Sequence, residues 1–241
     1  MGALTFRPAC AAPGDPEACR CRRIEERIAL DREAAAAAGE PIPDPVRRII
    51  EDGRAGTTGK VPDLPRELLT GLARHEAAHA AAMASLAGGC ERVTIALTAQ
   101  GRPFARPAVK LIDYTRPETP HHEFAAVVVR QLAGGLAGPV LDRHEGRAWQ
   151  ASIDDRTIAF EVASYVSPRC WRDDLTNEIE AVLDAAVPQL LRAIDAVAEA
   201  LLDQVTLDRD AVGAVIGDEA EYLDDLVGSK LDAIAGAIPP P

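Results

Sequence analysis

The sequence predicts a mainly α (α+β) protein, on three observations. Alanine recurs in helix-like runs while aromatic residues make up only 4% of the 241 residues, so the expected core is Leu, Val, Ile and Ala carried on helices. Apolar residues return at helical spacing over most of the chain beyond residue 60. One segment, Glu91 to Thr98, alternates on a period of two and is rich in β-branched residues, which marks a strand. A hydrophobic share of 47% is enough to build a real core.

Residues 1–60 differ in texture. Pro13, Pro16, Pro41, Pro43 and Pro45, with Gly53, Gly56 and Gly59, interrupt short helical patterns. A loosely packed N-terminal extension is expected there, with helices near 21–38 and 45–52. Gly53 to Val61 has some features of a phosphate-binding loop, but Val61 stands where Ser or Thr should hold magnesium, so no nucleotide site is read from it. Asp63 and Pro65 then mark a helix start, Leu68, Leu69, Leu72, Ala80 and Met83 supply an apolar stripe, and Gly88-Gly89 supplies the stop.

A small β-sheet or hairpin follows that helix, from the strand at 91–98 and a second extended stretch at 109–115. A helix over 123–142 carries Ala133, Gly134, Gly135, Ala137 and Gly138, small residues that let it approach another helix closely, behind the motif described below. Further helices are expected from Asp154 or Asp155 to Val166 and over 172–187, with Pro188 opening a fresh helix to about residue 205. Residues 217–241 read as a C-terminal acidic tail whose helix, near 218–238, is solvated. The domain reading is thus an extension over 1–60, a domain over 61–216, and the tail over 217–241.

The 26 basic and 38 acidic residues give a net charge of −12, which repels a phosphate backbone and argues against nucleic acid as a partner. No apolar run approaches the roughly 20 residues of a membrane span, and no basic-then-apolar leader opens the chain, so the expected location is the cytoplasm. The cysteines Cys10, Cys19, Cys21, Cys90 and Cys170 are odd in number and widely spaced, which suits reduced thiols better than a disulfide framework or a second metal clip.

The chemistry is concentrated in His75-Glu76-Ala77-Ala78-His79. Four residues on a helix is about one turn, so both imidazoles project from one face and can share a metal ion. Glu76 lies beside them, where a carboxylate can take a proton from water activated by that ion. This is an HExxH signature, and for this composition its chance occurrence is on the order of 0.01. It predicts one Zn²⁺, a zincin-like helical metallopeptidase domain, and Glu76 as general base.

Catalytic zinc takes three protein ligands and keeps a fourth position open. Position along the chain does not rank the candidates for the third: His121, His122, His144, Glu145, Asp154 and Asp155. No third His follows His79 at the spacing of the extended HExxHxxGxxH motif.

The order of His75-Glu76-Ala77-Ala78-His79-Ala80, the strand Val93-Thr94-Ile95, Leu136-Ala137-Gly138-Pro139, then Asp155-Arg156-Thr157-Ile158-Ala159 with Ala163, resembles the peptidase domain of the FtsH-type ATP-dependent zinc proteases. Residues 198–210, ending in Thr206-Leu207-Asp208, are similar to that family's closing helix and Thr-Leu-Asp turn. The resemblance runs from about Leu64 to Ile216. It implies that Asp155, with Ala159 and Ala163 in register, completes the zinc site with His75 and His79. Asp154 is the alternative ligand one residue off, and one of the two aspartates is expected to cap the helix instead.

The family carries Gly where this chain has Ala78. Its supporting glutamate corresponds to Asp142 in one register and to Gly138 in the other. The chain shows no AAA+ motif, so the resemblance implies a polypeptide substrate that is flexible or is delivered by a separate ATPase or adaptor. The competing expectation is a non-catalytic zinc-binding interaction module that keeps the peptidase fold.

Overall fold

The computed structural model describes residues 57–98, 103–107, 121–147, 150–163, 166 and 172–238. The expected helices at 21–38 and 45–52, the extended stretch at 109–115, and Cys10, Cys19, Cys21 and Cys170 lie outside the described residues. The described elements are α1 (Arg66–Leu86), β1 (Cys90–Thr94), β2 (Phe104–Pro107), α2 (His121–His144), α3 (Gln150–Ala163), α4 (Arg172–Gln204), β3 (Thr206–Asp208), α5 (Arg209–Ile216), α6 (Glu219–Leu223), a π-helical turn (Asp224–Gly228) and α7 (Ser229–Ala237). Helices dominate and one small antiparallel sheet accompanies them, as a mainly α (α+β) reading requires.

α1 lies at the centre, buried from Gly71 to Met83 apart from Arg74. Its alanines, Ala73, Ala77, Ala80, Ala81 and Ala82, are fully buried, and their short side chains let α2, α4 and the sheet close around it. Pro65 precedes its first turn, and Gly88 and Gly89 leave it at φ 81° and 128°, conformations that glycine adopts without strain. Of the expected stripe, Leu68 is exposed, because it sits on the first turns of α1 before the other helices cover it.

β1 is the middle strand of the order β2-β1-β3 and runs antiparallel to both neighbours. Val93 faces Ala105 on one side and Leu207 on the other, and Val93 and Leu207 are fully buried. The strand expected over 91–98 is thus shorter, and β2 falls at Phe104–Pro107, upstream of the expected second stretch. Thr206-Leu207-Asp208, read as a turn, is the third strand. Asp208 then caps α5 by accepting the backbone N–H of Ala211 at 2.9 Å.

Two expectations about the C-terminal half are corrected. Pro188 does not open a new helix; α4 runs 33 residues through it. A proline inside a helix removes one backbone hydrogen bond and costs about 3 kcal/mol. However, Leu183, Val187, Leu190, Ile194, Val197 and Leu201 bury one continuous stripe across the site, while Pro188 faces solvent. Nor is the tail a solvated appendage to a domain ending at 216. Leu223, Val227, Leu231, Ile234 and Ala235 are buried in the same core as α1 and α2. Arg130 of α2 fastens this segment through Asp224, at 2.6 Å, and Asp232, at 3.0 Å.

α2 also departs from the expectation that no segment is long and apolar enough to span a bilayer. Residues 122–144 have that length and composition. Two thirds of the apolar window is buried within the fold, against α1, α3, α4 and α7, which is the position of a core helix.

Candidate metal centre

α1 presents His75 and His79 one turn apart, and both are buried, at 2% and 5% exposure. The two rings meet edge to face, with centroids 4.8 Å apart. Their Nε2 atoms approach to 3.1 Å. Asp155, on the facing side of α3, brings Oδ2 to 3.0 Å from His75 Nε2 and 3.3 Å from His79 Nε2. Donors bound at about 2.0–2.1 Å around a tetrahedral ion lie roughly 3.3 Å from one another, so this triangle has the dimensions of a metal site. Among the described residues, His75, His79 and Asp155 are the group so arranged.

The outer nitrogens explain why the inner ones converge. His79 Nδ1 lies 2.8 Å from the carbonyl oxygen of Gly134, which can only accept, so Nδ1–H donates. His75 Nδ1–H donates to Asp142 Oδ2 at 2.7 Å. Each neutral ring therefore turns an Nε2 lone pair toward the other and toward a carboxylate. Three electron-rich atoms at these separations repel unless a cation, proton or metal, sits among them.

The protonation preferences of these groups express the same demand. Burial opposes a charge on His75, but hydrogen bonds to Asp142 and Asp155 outweigh it and carry its pKa up to about 10. His79 is raised as well: burial opposes the charge and the Asp155 carboxylate overrides it. Asp155 is held well below the usual carboxylate range, because the two histidines override its desolvation. Glu76, 4% exposed, is pushed up to about 7 chiefly by burial, with the histidines pulling the other way.

α2 backs the site at close range. A Cβ at Gly138 would collide with His79 Nε2 and stand 2.7 Å from His75 Cε1, so only glycine admits both rings. A Cβ at Gly134 would press on Met83 at 2.9 Å. The small residues on this helix thus set the closeness of α1 and α2 expected from sequence. The open choice between Asp142 and Gly138 as the supporting position has a double answer, since Asp142 holds His75 and Gly138 makes room for it. Ala78 is buried at 2% exposure and leaves both histidines in place.

Of the remaining candidates, those with described side chains lie elsewhere. His122 is exposed, His144 Nδ1 lies 3.9 Å from Asp184, and Glu145 pairs with Arg74. Asp154 belongs to α3, but its side chain, like that of His121, is outside the described residues. α3 begins at Gln150, so neither aspartate is its N-cap. The Asp155 side chain is 26% exposed whereas His75 and His79 are buried, so solvent reaches the triad past Asp155. The sequence reading missed Arg147, which donates from Nε to Asp142 Oδ1 at 3.1 Å. Compared with protein-family models and with curated proteins, the chain matches none.

Proposed function

We propose that this protein is a zinc-dependent metalloendopeptidase in which His75, His79 and Asp155 hold one Zn²⁺ and Glu76 is the general base. The observation that carries the reading is the convergence of three ligand atoms, one carboxylate and two imidazole nitrogens, beside a buried glutamate on the HExxH helix. Zn²⁺ bound there supplies a Lewis acid that acidifies water and polarises a scissile carbonyl.

The chain's own groups do the rest. Glu76 takes the proton of the attacking water on its carboxylate and returns it to the leaving amine. Burial raises the Glu76 carboxyl above the ordinary carboxylate range, the direction that suits a group that must both accept and give. Asp142 and the Gly134 carbonyl fix the tautomer of each histidine, so both Nε2 lone pairs point into the site. The exposed flank at Asp155 is where a polypeptide enters. The order of these elements along the chain supports an FtsH-type, zincin-like peptidase domain working on flexible polypeptide, met directly or delivered by a separate ATPase or adaptor in the cytoplasm.

The test compares wild type with Glu76→Gln for zinc content and for cleavage of a disordered protein. The variant is expected to keep its zinc and lose turnover by about 10²–10⁴-fold. Full activity in Glu76→Gln would refute the general base. Zinc-loaded wild type without turnover would instead describe a zinc-binding interaction module.

A further inference from the structure

Behind the candidate metal centre, α2 ends in a turn that returns the chain onto its own last carboxylate. Gly146 takes φ 70°, its N–H reaches the carbonyl of Arg143 at 3.1 Å, and the N–H of Arg147 reaches the carbonyl of Asp142 at 2.7 Å. These paired bonds define a Schellman turn, which sets the second residue past the helix C-cap Glu145 over the residue five positions back. That partnership is commonly apolar, but here it joins Arg147 to Asp142.

Asp142 is 1% exposed, and its two oxygens are divided. Oδ2 accepts from His75 Nδ1 at 2.7 Å, while Oδ1 faces Arg147 Nε and Nη2, each at 3.1 Å. A second arm of the guanidinium, Nη1, pairs with Glu145, whose other oxygen accepts from Arg74 Nε at 3.1 Å. Arg74 directly precedes His75. The guanidinium is thus held between Glu145 and Asp142, and its Nε–H bond to Oδ1 leaves Oδ2 turned toward His75.

We infer that Arg147 is a positioning residue of the metal centre, fixing the Asp142 carboxylate that in turn fixes the imidazole of His75. The inference rests on the zinc reading above. It assigns a role to a loop residue that touches neither metal nor substrate, and it makes Gly146 part of the site's support, since a side chain at φ 70° would strain the turn.

Zinc affinity, measured on the whole protein by competition with a chromophoric chelator, tests it. Arg147→Ala is expected to bind zinc about tenfold more weakly, and Asp142→Asn by about 10–100-fold. Arg147→Lys keeps the charge without the fork and should recover part of the loss, which also covers the case in which the alanine variant fails to fold. Because Arg147 acts through Asp142, adding Arg147→Ala to Asp142→Asn should weaken binding no further.

Arg130→Ala, in a comparable ion pair away from the site, should bind as wild type does. Wild-type affinity in Arg147→Ala, or losses that multiply in the double variant, would overturn the positioning role while leaving the zinc site standing. A wild-type protein that binds no zinc would overturn the zinc reading itself.

Discussion

Midway along α2, Arg130 spans Asp224 and Asp232, two carboxylates that are about half exposed. In the last turn of the same helix Asp142, almost wholly buried, is held between Arg147 and His75. The groups are alike and the surroundings are not. Water around the first pairing replaces most of what is lost when it breaks, so it serves mainly to dock the C-terminal segment. Little solvent replaces the second, because a carboxylate buried this deeply costs several kcal/mol to leave unmatched, and the pairing leads to His75 of the candidate metal centre. Burial separates a fastening from a functional support.

The contrast is sharpest in Asp142→Ala, which leaves the His75 Nδ1–H facing no carboxylate and Arg147 with Glu145 alone. It should destabilise the protein by about 3–5 kcal/mol in chemical denaturation and lower zinc affinity with it. Leu231→Ala, at a fully buried position next to Asp232 of the Arg130 pairing, should cost about 2–5 kcal/mol yet leave zinc affinity unchanged in the fraction that folds. Zinc loss in that variant would mean that the middle of α2 and its last turn are not separable.

Proton linkage divides the two regions as well. In the metal-free protein the folded pKa of His75 lies near 10, above the ordinary 6.5. Its proton therefore stabilises the fold fully below pH 6.5, and this contribution fades as the pH rises through about 10. Zinc bound as proposed would have to displace that proton and the one favoured on His79. Titration calorimetry in buffers of different ionisation heat should find protons released, with affinity rising about tenfold per pH unit for each. Arg130→Ala should show the smallest effect, about 1 kcal/mol or less, with the pH profile of zinc binding intact.

Much of this was legible in the sequence. The HExxH spacing carries its own geometry, and the run of small residues in α2 announced a close helix contact. Asp155 could be singled out only through what the family resemblance implies, an aspartate in register with Ala159 and Ala163, since a ligand from a separate helix leaves no local periodicity. Arg147 left a fainter trace: Asp142, Gly146 and Arg147 stand at Schellman spacing, but the ion pair across the turn depends on burial that no local pattern reports. Pro188 and the tail were misjudged for a common reason. Local signals, a helix breaker and a high acid content, were outweighed by apolar stripes that find partners distant in sequence.

The most direct measurement is the metal content of the purified protein by elemental analysis, for wild type, His79→Ala and Asp155→Ala after zinc reconstitution. One zinc per chain in wild type, lost in both variants while their helical content is retained, is the expected result. A wild type that holds no zinc, or an Asp155→Ala variant that keeps it at full stoichiometry and affinity, would contradict the three-ligand centre.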